Sequence, residues 1–500
     1  MKVTAKLSKN RYDFSKDHET HLLVELEAPK VEWDKERAPI CIIPVLDVSG
    51  SMAGEKIEYL KKACRKLFTH LSPGDFAGIV AYDTAVYEVA PIREITQYQK
   101  DDLKDKVSKL NAGSCTNLSG GLTQAFQWIN GIALPSNVIL RVLLFTDGMA
   151  NVGISGRALV DLVKENKNKA TVSAFGFGFD CQQELLADMA TAGGGNYAFI
   201  DSPEAALTAF ARELGGLMST YGQDIKVSIA PDKNNGIVEV LNDEDVLESE
   251  GIVTIGLKDI LGEEKKWVVA KVKLNKVEKP LPRKVVAFKV NVSYNDKNGQ
   301  LQKGEEIPLK IKFCKPEEEP KEEDTLVVHQ RDKLLAAKAM EQAETYVRMG
   351  DYAQASAVLF TCSNNLVDGY GISLMRDMAV SYSSPQNYSL CSDTNNSVRS
   401  ALKGQRVSHT SARARKFTAD LGVQYTSVQE DMVKNFAVDD EPEPNNIVDV
   451  ASGSSLIVDP NTLGLVWTTT GVSTSGPPST VDSNQLNYSS TAKKRSGTDW

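Results

Sequence analysis

Asp47, Ser49 and Ser51 stand two apart in the segment Asp47-Val-Ser49-Gly-Ser51-Met52, directly after the apolar run ICIIPVLD (40–47). A third hydroxyl, Thr116, lies in SCTNL just ahead of a helical pattern. A second carboxylate, Asp147, ends the run VILRVLLFTD (138–147) and precedes Gly148. Two carboxylates and three hydroxyls make a hard, oxygen-only donor set. Such a set suits Mg²⁺ or Mn²⁺, admits Ca²⁺, and excludes a thiolate-type zinc site. Hydroxyls lend lone pairs without charge, so a dication held this way stays under-neutralised, and a vacant position on it favours a carboxylate from another protein. Two carboxylates brought together without a cation would repel each other.

Each part of the pattern also has a plainer reading. Asp and Ser are good helix caps, Thr116 can cap the helix that begins at NLSGGL, and Asp147-Gly148 can be a strand-end turn. Cys115, beside Thr116, reads as a small buried packing residue rather than a redox switch.

Other chemistries are excluded more firmly. The seven cysteines, at 41, 64, 115, 181, 314, 362 and 391, contain no C-x-x-C pair, which removes a RING, a zinc ribbon and a thioredoxin-type site. Their odd number and wide spacing read as reduced thiols. The five histidines show no metal spacing, Ser49 is not in G-x-S-x-G, and GFGFD (176–180) fails the G-x-G-x-x-G spacing because Cys181 replaces its last glycine. A formal net charge of −9 argues against nucleic acid or an anionic membrane as the partner. The three cations of RARKF (413–417) read as a solvated helix face. MKVTAKLSKNRYDF lacks an apolar core, and no run approaches the roughly 18 apolar residues of a membrane span. The expectation is an intracellular, cytoplasmic protein with no membrane insertion.

The elements that must position the candidate residues follow from periodicity. Five hundred residues suggest about three domains. From 40 to about 220, apolar runs at 40–47, 76–83, 138–147 and 170–178 alternate with helical spacing such as Ile57, Leu60, Cys64, Leu67 and Leu71. Continuous apolar runs suit strands covered on both faces, and the alternation predicts a doubly wound, mostly parallel α/β sheet. Open sheets of this kind bind ligands at the carboxyl ends of their strands, where Asp47 and Asp147 fall. Pro44 cannot donate to a ladder, so a bulge or an unpaired position is expected there. Residues 1–38 show period-two alternation for two strands, and 221–315 return to it for a β-sandwich of six or seven strands. The N-terminal strands are expected to complete that sandwich, with the α/β domain (39–220) inserted into it. PEEEPKEED (316–324) should be an extended, self-repelling linker. Residues 325–436 read as a helical region that opens with an antiparallel pair. One such pair cannot bury its own face, and 411–436 is the expected cover. Residues 437–500 read as a low-complexity, largely disordered tail, with LGLVWTT (463–469) as a possible docked strand or partner motif.

DVSGSM, the Thr116-Asn117 pair in SCTNL, and TDG followed by Asn151-Val-Gly together resemble a von Willebrand factor A domain with a metal-ion-dependent adhesion site. The resemblance covers about 40–220. It implies that Ser49, Ser51 and Thr116 ligate the ion directly or through water, and that Asp47 and Asp147 act largely through water and by orienting the shell. A weaker similarity, from YGQDIKVSI through the 326–366 helices, is to plant and protist von Willebrand A proteins with a following sandwich and helical segment. Their RING finger has no counterpart here, so ligase activity does not carry over. The function expected is a non-enzymatic, metal-dependent protein-binding scaffold whose partner offers an Asp or Glu to the ion. The rivals are an adaptor or regulatory subunit of a larger ligase-like or ATPase machine, recruiting through the helical region, and a structural assembly component.

Overall fold

The structure is a computed structural model that describes residues 1–32, 37–148, 150–178, 181–232, 235–242, 245–403 and 425–438. The 439–500 segment, LGLVWTT and RARKF lie outside the described residues.

Three strands precede the first α/β element: β1 (Lys2–Leu7), β2 (Arg11–Asp13) and β3 (His18–Glu27). The sequence pattern suggests two, because the three-residue β2 is too short to show a period. The next section runs β4 (Ile40–Asp47), α1 (Glu55–Thr69), β5 (Phe76–Tyr82), β6 (Val86–Glu94), α2 (Gln97–Ser108) and α3 (Leu118–Gly131). It continues through β7 (Ile139–Thr146), α4 (Arg157–Asn166), β8 (Thr171–Phe177), α5 (Gln183–Gly193), β9 (Gly194–Ile200) and α6 (Pro203–Met218). Its six strands form one sheet in the order β6-β5-β4-β7-β8-β9. All pairs are parallel except β5 with β6.

Every residue of the central strand β4 is buried, as its unbroken apolar run requires. On one face, α1 and α6 pack through Ile57, Leu60, Leu67, Phe210 and Leu214. On the other, α3, α4 and α5 pack through Leu122, Phe126, Leu159, Val163 and Met189. This is the doubly wound arrangement. Pro44 produces no bulge. The register against β7 runs unbroken through Pro44↔Leu143, and the offset against β5 is the same at Ile42↔Ala77 and Val45↔Val80. The missing donor falls in the two-residue gap between those pairs.

After α6 come β10 (Thr220–Pro231), β11 (Gly236–Val240), β12 (Asp245–Ser249), β13 (Ile252–Leu261), β14 (Lys265–Leu274), β15 (Val285–Asn295), β16 (Leu301–Lys303) and β17 (Ile307–Cys314). They share two sheets with the N-terminal strands, in the orders β1-β3-β14-β11 and β12-β13-β10-β15-β17-β2. β3 pairs antiparallel with β14 over ten positions, including Val24↔Val268. β2 runs parallel to β17. Leu22, Val24 and Leu26 from before the α/β section share one core with Ile225, Val268 and Phe288 from after it.

The acidic segment 316–324 is tied down rather than extended. Glu319 pairs with Lys9 at 3.0 Å, and Asp324 pairs with Lys6 at 2.7 Å. Asp324 also accepts the Leu326 and Val327 N–H groups, capping the helix that follows. Together with Lys312 beside Glu318 and Arg331 beside Glu323, the N-terminal lysines offset the charge that would otherwise extend this stretch of chain.

The helices beyond are α7 (Thr325–Arg348), α8 (Tyr352–Asn365), α9 (Gly369–Ser381), α10 (Pro385–Leu390), α11 (Ser392–Leu402) and α12 (Ser427–Val438). α7 to α9 and α11 share a core around Met340, Leu359, Met375 and Val398, and α7 rests on the β3/β14 face through Val327, Leu334, Leu23 and Val269. α12 does not cover this helical group, contrary to the expectation for 411–436. Its Val428, Met432 and Phe436 join the core beneath α1 and α6.

A buried arginine links the helical group to α5. Arg399 meets Glu344 of α7 and Asp188 at 3.3 Å, and the Tyr382 hydroxyl donates to Glu344 at 3.1 Å. Burial pushes the Glu344 carboxyl up to about 7, against the pull of the Arg399 charge. Arg399→Met is therefore expected to cost about 3–5 kcal/mol. The sign of the pH dependence follows from the raised carboxyl. The folded state holds the Glu344 proton more tightly than the unfolded chain, so stability falls as pH rises from about 4.5 through the folded value, and losing Arg399 steepens that fall. Urea titrations at pH 6 and pH 8 should show the larger deficit at pH 8, with Arg399→Met/Glu344→Gln recovering much of it. An equal deficit at both pH values would contradict this account.

Candidate functional site

β4 and β7 are neighbours, in register at Leu46↔Phe145, so Asp47 and Asp147 emerge side by side at the carboxyl edge of the sheet. Both are almost wholly buried, at 0% and 1% exposure. The Asp47 oxygens accept the Ser49 N–H at 2.8 Å and the Thr146 hydroxyl at 2.7 Å. Burial pushes the Asp47 carboxyl up, those hydrogen bonds pull it down, and the charge of Asp147 pushes it up again.

The loop after β4 is short and fixed. Gly50 N–H donates to Ser114 O at 2.8 Å and Gly113 N–H to Val48 O at 2.6 Å, locking the 48–50 and 113–114 loops together. The Ser49 and Ser51 hydroxyls lie 3.1 Å apart, and Ser51 donates to Asp147 Oδ1 at 2.7 Å. Thr116 comes from the third loop. Asn151 orients it, accepting the Thr116 N–H on Oδ1 at 2.8 Å and donating its own N–H to Thr116 O at 3.1 Å. Gly148 marks the meeting point: a Cβ there would sit 3.5 Å from Ser51 Oγ and 3.7 Å from Thr116 Oγ1. α3 can run close behind because Gly121 has no side chain. A Cβ there would come within 2.5 Å of Tyr82 Cδ1, and the Tyr82 hydroxyl donates to Phe145 O at 3.2 Å.

The helix-capping readings of Ser49 and Thr116 are not what the geometry shows. The N-cap of α1 is Gly54, which has no side chain to cap with, and Ser49 makes no capping hydrogen bond. The cap of α3 is Asn117, which accepts the Gly120 N–H, not Thr116. Cys115 is exposed rather than buried, because its loop lies over the sheet edge instead of under a helix.

Three neighbours take roles that the sequence reading did not assign: Thr146 and Asn151, both within the quoted motif, hold Asp47 and the Thr116 backbone, and Lys56, outside it, pairs its ammonium with Asp147 Oδ2. Lys56 looks like any surface lysine in the first turn of an amphipathic helix. Among the described residues no group of three or more His, Cys, Asp or Glu converges for a metal. A cation would have to be held by this mixed set of three hydroxyls and two buried carboxylates, whose oxygen donors fit a hard divalent ion.

Residues 40–199 match the family model of the von Willebrand factor type A domain. An uncharacterised protein of Synechocystis is 26% identical over 350 residues, covering 67% of this chain and 80% of that one. The E3 ubiquitin-protein ligase WAV3 of Arabidopsis thaliana is 27% identical over 247 residues, 47% of this chain and 31% of its own. Among solved structures, a von Willebrand factor type A protein from Catenulispora acidiphila superposes with a TM-score of 0.60 at 17% identity, covering 80% of this chain and 89% of that one. Domains of this type generally mediate protein–protein interaction and adhesion and commonly bind a divalent metal, and the relatives that carry them are mostly non-enzymatic. Among the described residues no helix is long and apolar enough to cross a membrane. With its six-stranded sheet and helices on both faces, the section from 40 to 199 has the von Willebrand factor type A fold, carried in a chain that adds two further sheets and a helical group.

Proposed function

We propose that this chain is a non-enzymatic protein-binding scaffold that works through a divalent ion at Asp47, Ser49, Ser51, Thr116 and Asp147. The observation that carries the reading is the convergence of Ser51, Thr116 and Asp147 at Gly148, above a second buried carboxylate. Mg²⁺ or Mn²⁺ held by so few charges would remain a Lewis acid able to accept an Asp or Glu of a partner. The rim suits an acidic visitor, since Gly50, Ser51, Ser114, Cys115 and Asn151 are exposed and uncharged. The reading is of capture rather than turnover.

Calorimetric titration of Mg²⁺ and Mn²⁺ into chelator-treated protein tests this, with Ser49→Ala/Ser51→Ala beside the wild type. Saturable binding is expected in the wild type, weakened at least about tenfold in the variant, with metal-dependent pull-down lost in parallel. An absence of heat and of thermal stabilisation in the wild type would overturn the proposal.

The adaptor reading keeps one supporting observation. Phe360, Val367, Val380 and Leu390 of the helical group are more than half exposed. Under that reading the Ser49/Ser51 variant would retain its partner.

A further inference from the structure

The two carboxylates at the sheet edge are not treated alike. Asp47 takes neutral donors on both oxygens, the Ser49 N–H and the Thr146 hydroxyl. Asp147 takes one neutral donor, Ser51, on Oδ1, and a full positive charge, Lys56, on Oδ2. The Asp147 side chain is completely buried, while that of Lys56 is about one-third exposed. The ammonium therefore reaches inward from α1 to a carboxylate that solvent cannot reach.

The position is cradled on its other side. Lys56 Cε and Nζ would lie 3.6 and 3.7 Å from a Cβ built on Gly178, a residue in the left-handed region at φ +76°. The turn after β8 thus presents bare backbone where the lysine passes, and it is held by the Gly178 N–H donating to Ile200 O at 2.9 Å. Lys56 occupies a slot between the ends of β7 and β8 rather than lying free on a helix surface.

Both Asp147 oxygens are consequently in use. A divalent ion that draws on this carboxylate must either share it with Lys56 or displace the ammonium, and two cations on one buried carboxylate repel each other strongly at low dielectric. We propose that Lys56 is a tethered counter-cation that stabilises the metal-free site and sets its divalent-ion affinity by competing for Asp147. The inference rests on the metal-dependent reading above and adds to it a residue that tunes the site without ligating. In the metal-free protein Lys56 spares the sheet edge an uncompensated buried charge. On loading, its flexible four-carbon stem lets the ammonium swing outward to the rim, beside the place where an acidic partner would arrive.

The test is a pair of variants read by calorimetry and thermal unfolding in full-length protein. Lys56→Met keeps the apolar stem and removes the charge. It should bind Mg²⁺ and Mn²⁺ about tenfold or more tightly than the wild type, unfold at a lower temperature in chelator, and gain more from added metal. Lys56→Arg keeps the charge and should leave chelator-treated stability unchanged while holding metal affinity at or below the wild-type level. Equal affinities in wild type and Lys56→Met, or weaker binding by Lys56→Met, would overturn it and leave the metal-site reading standing. No binding by any of the three, with all of them folded by circular dichroism, would overturn both.

Discussion

A fragment that begins at residue 39 is expected to lose cooperative folding of its two outer sheets and to aggregate. Deletion of residues 1–38 removes β1, β2 and β3 together. β3 is a central strand, bonded to β1 on one side and to β14 over ten positions on the other. Its Leu22, Val24 and Leu26 are fully buried, and Leu7 and Tyr12 nearly so. At about 1.5–3 kcal/mol for each large apolar side chain removed from water, the loss is on the order of 10 kcal/mol. That matches the whole stability of a typical domain, about 5–15 kcal/mol. The deletion would also leave β14 an open edge with Val268, Ala270 and Val272 uncovered, a template for intermolecular pairing. Size-exclusion chromatography and thermal unfolding of 39–500 check this. A soluble fragment with the wild-type transition would show that the outer sheets do not depend on the N-terminal strands, and that the von Willebrand A domain is not an insertion within them.

The second large effect is expected at α12. Phe436 is 1% exposed, stacks on His70 with ring centroids 4.9 Å apart, and its carbonyl accepts the Lys66 ammonium. Gln429 donates to Arg212 O of α6 at 3.0 Å, and Arg212 lies 3.7 Å over the Tyr425 ring. The backbones meet closely because Gly215 has no side chain, a Cβ there lying 2.8 Å from Gln429 Cα. Phe436→Ala should therefore cost about 3–5 kcal/mol, as for other buried aromatics cut to alanine. Gly215→Val should do similar damage by forcing α12 off α6. Urea denaturation measures the first effect, and dye binding to exposed apolar surface measures the second. A Phe436→Ala protein within about 0.5 kcal/mol of wild type, the range of ordinary surface substitutions, would mean that α12 is not part of the folded core.

The alternation of strands and helices from 40 to 200 was legible because burial on two faces writes continuous apolar runs, as in ICIIPVLD, while burial on one helix face writes a period of 3.6 residues, as in α1. The five oxygen-bearing residues were legible for a related reason. They sit where the pattern breaks at strand ends and helix starts, and a parallel sheet gathers such breaks at one edge. Lys56 was not, and Asn151 and Thr146 stood in the quoted motif without a role, since all three roles depend on which loop lies opposite, a fact no local spacing records. Cys115 misled for the same reason: exposure is set by what packs above a loop, not by the residue type.

Pairing over long separations was the other matter beyond the sequence. Alternation marks β3 and β14 each as half-buried strands, but any two such strands are locally compatible. Only the shared core of Leu22, Val24, Val268 and Phe288 selects this partnership across more than 200 residues. The expectation of helix within 411–436 likewise announced an element, formed at Ser427–Val438, without its address. Close approach at Gly215 and the apolar groove between α1 and α6 decided that, because a marginally amphipathic helix gains its stability from the surface it covers rather than from its own propensity.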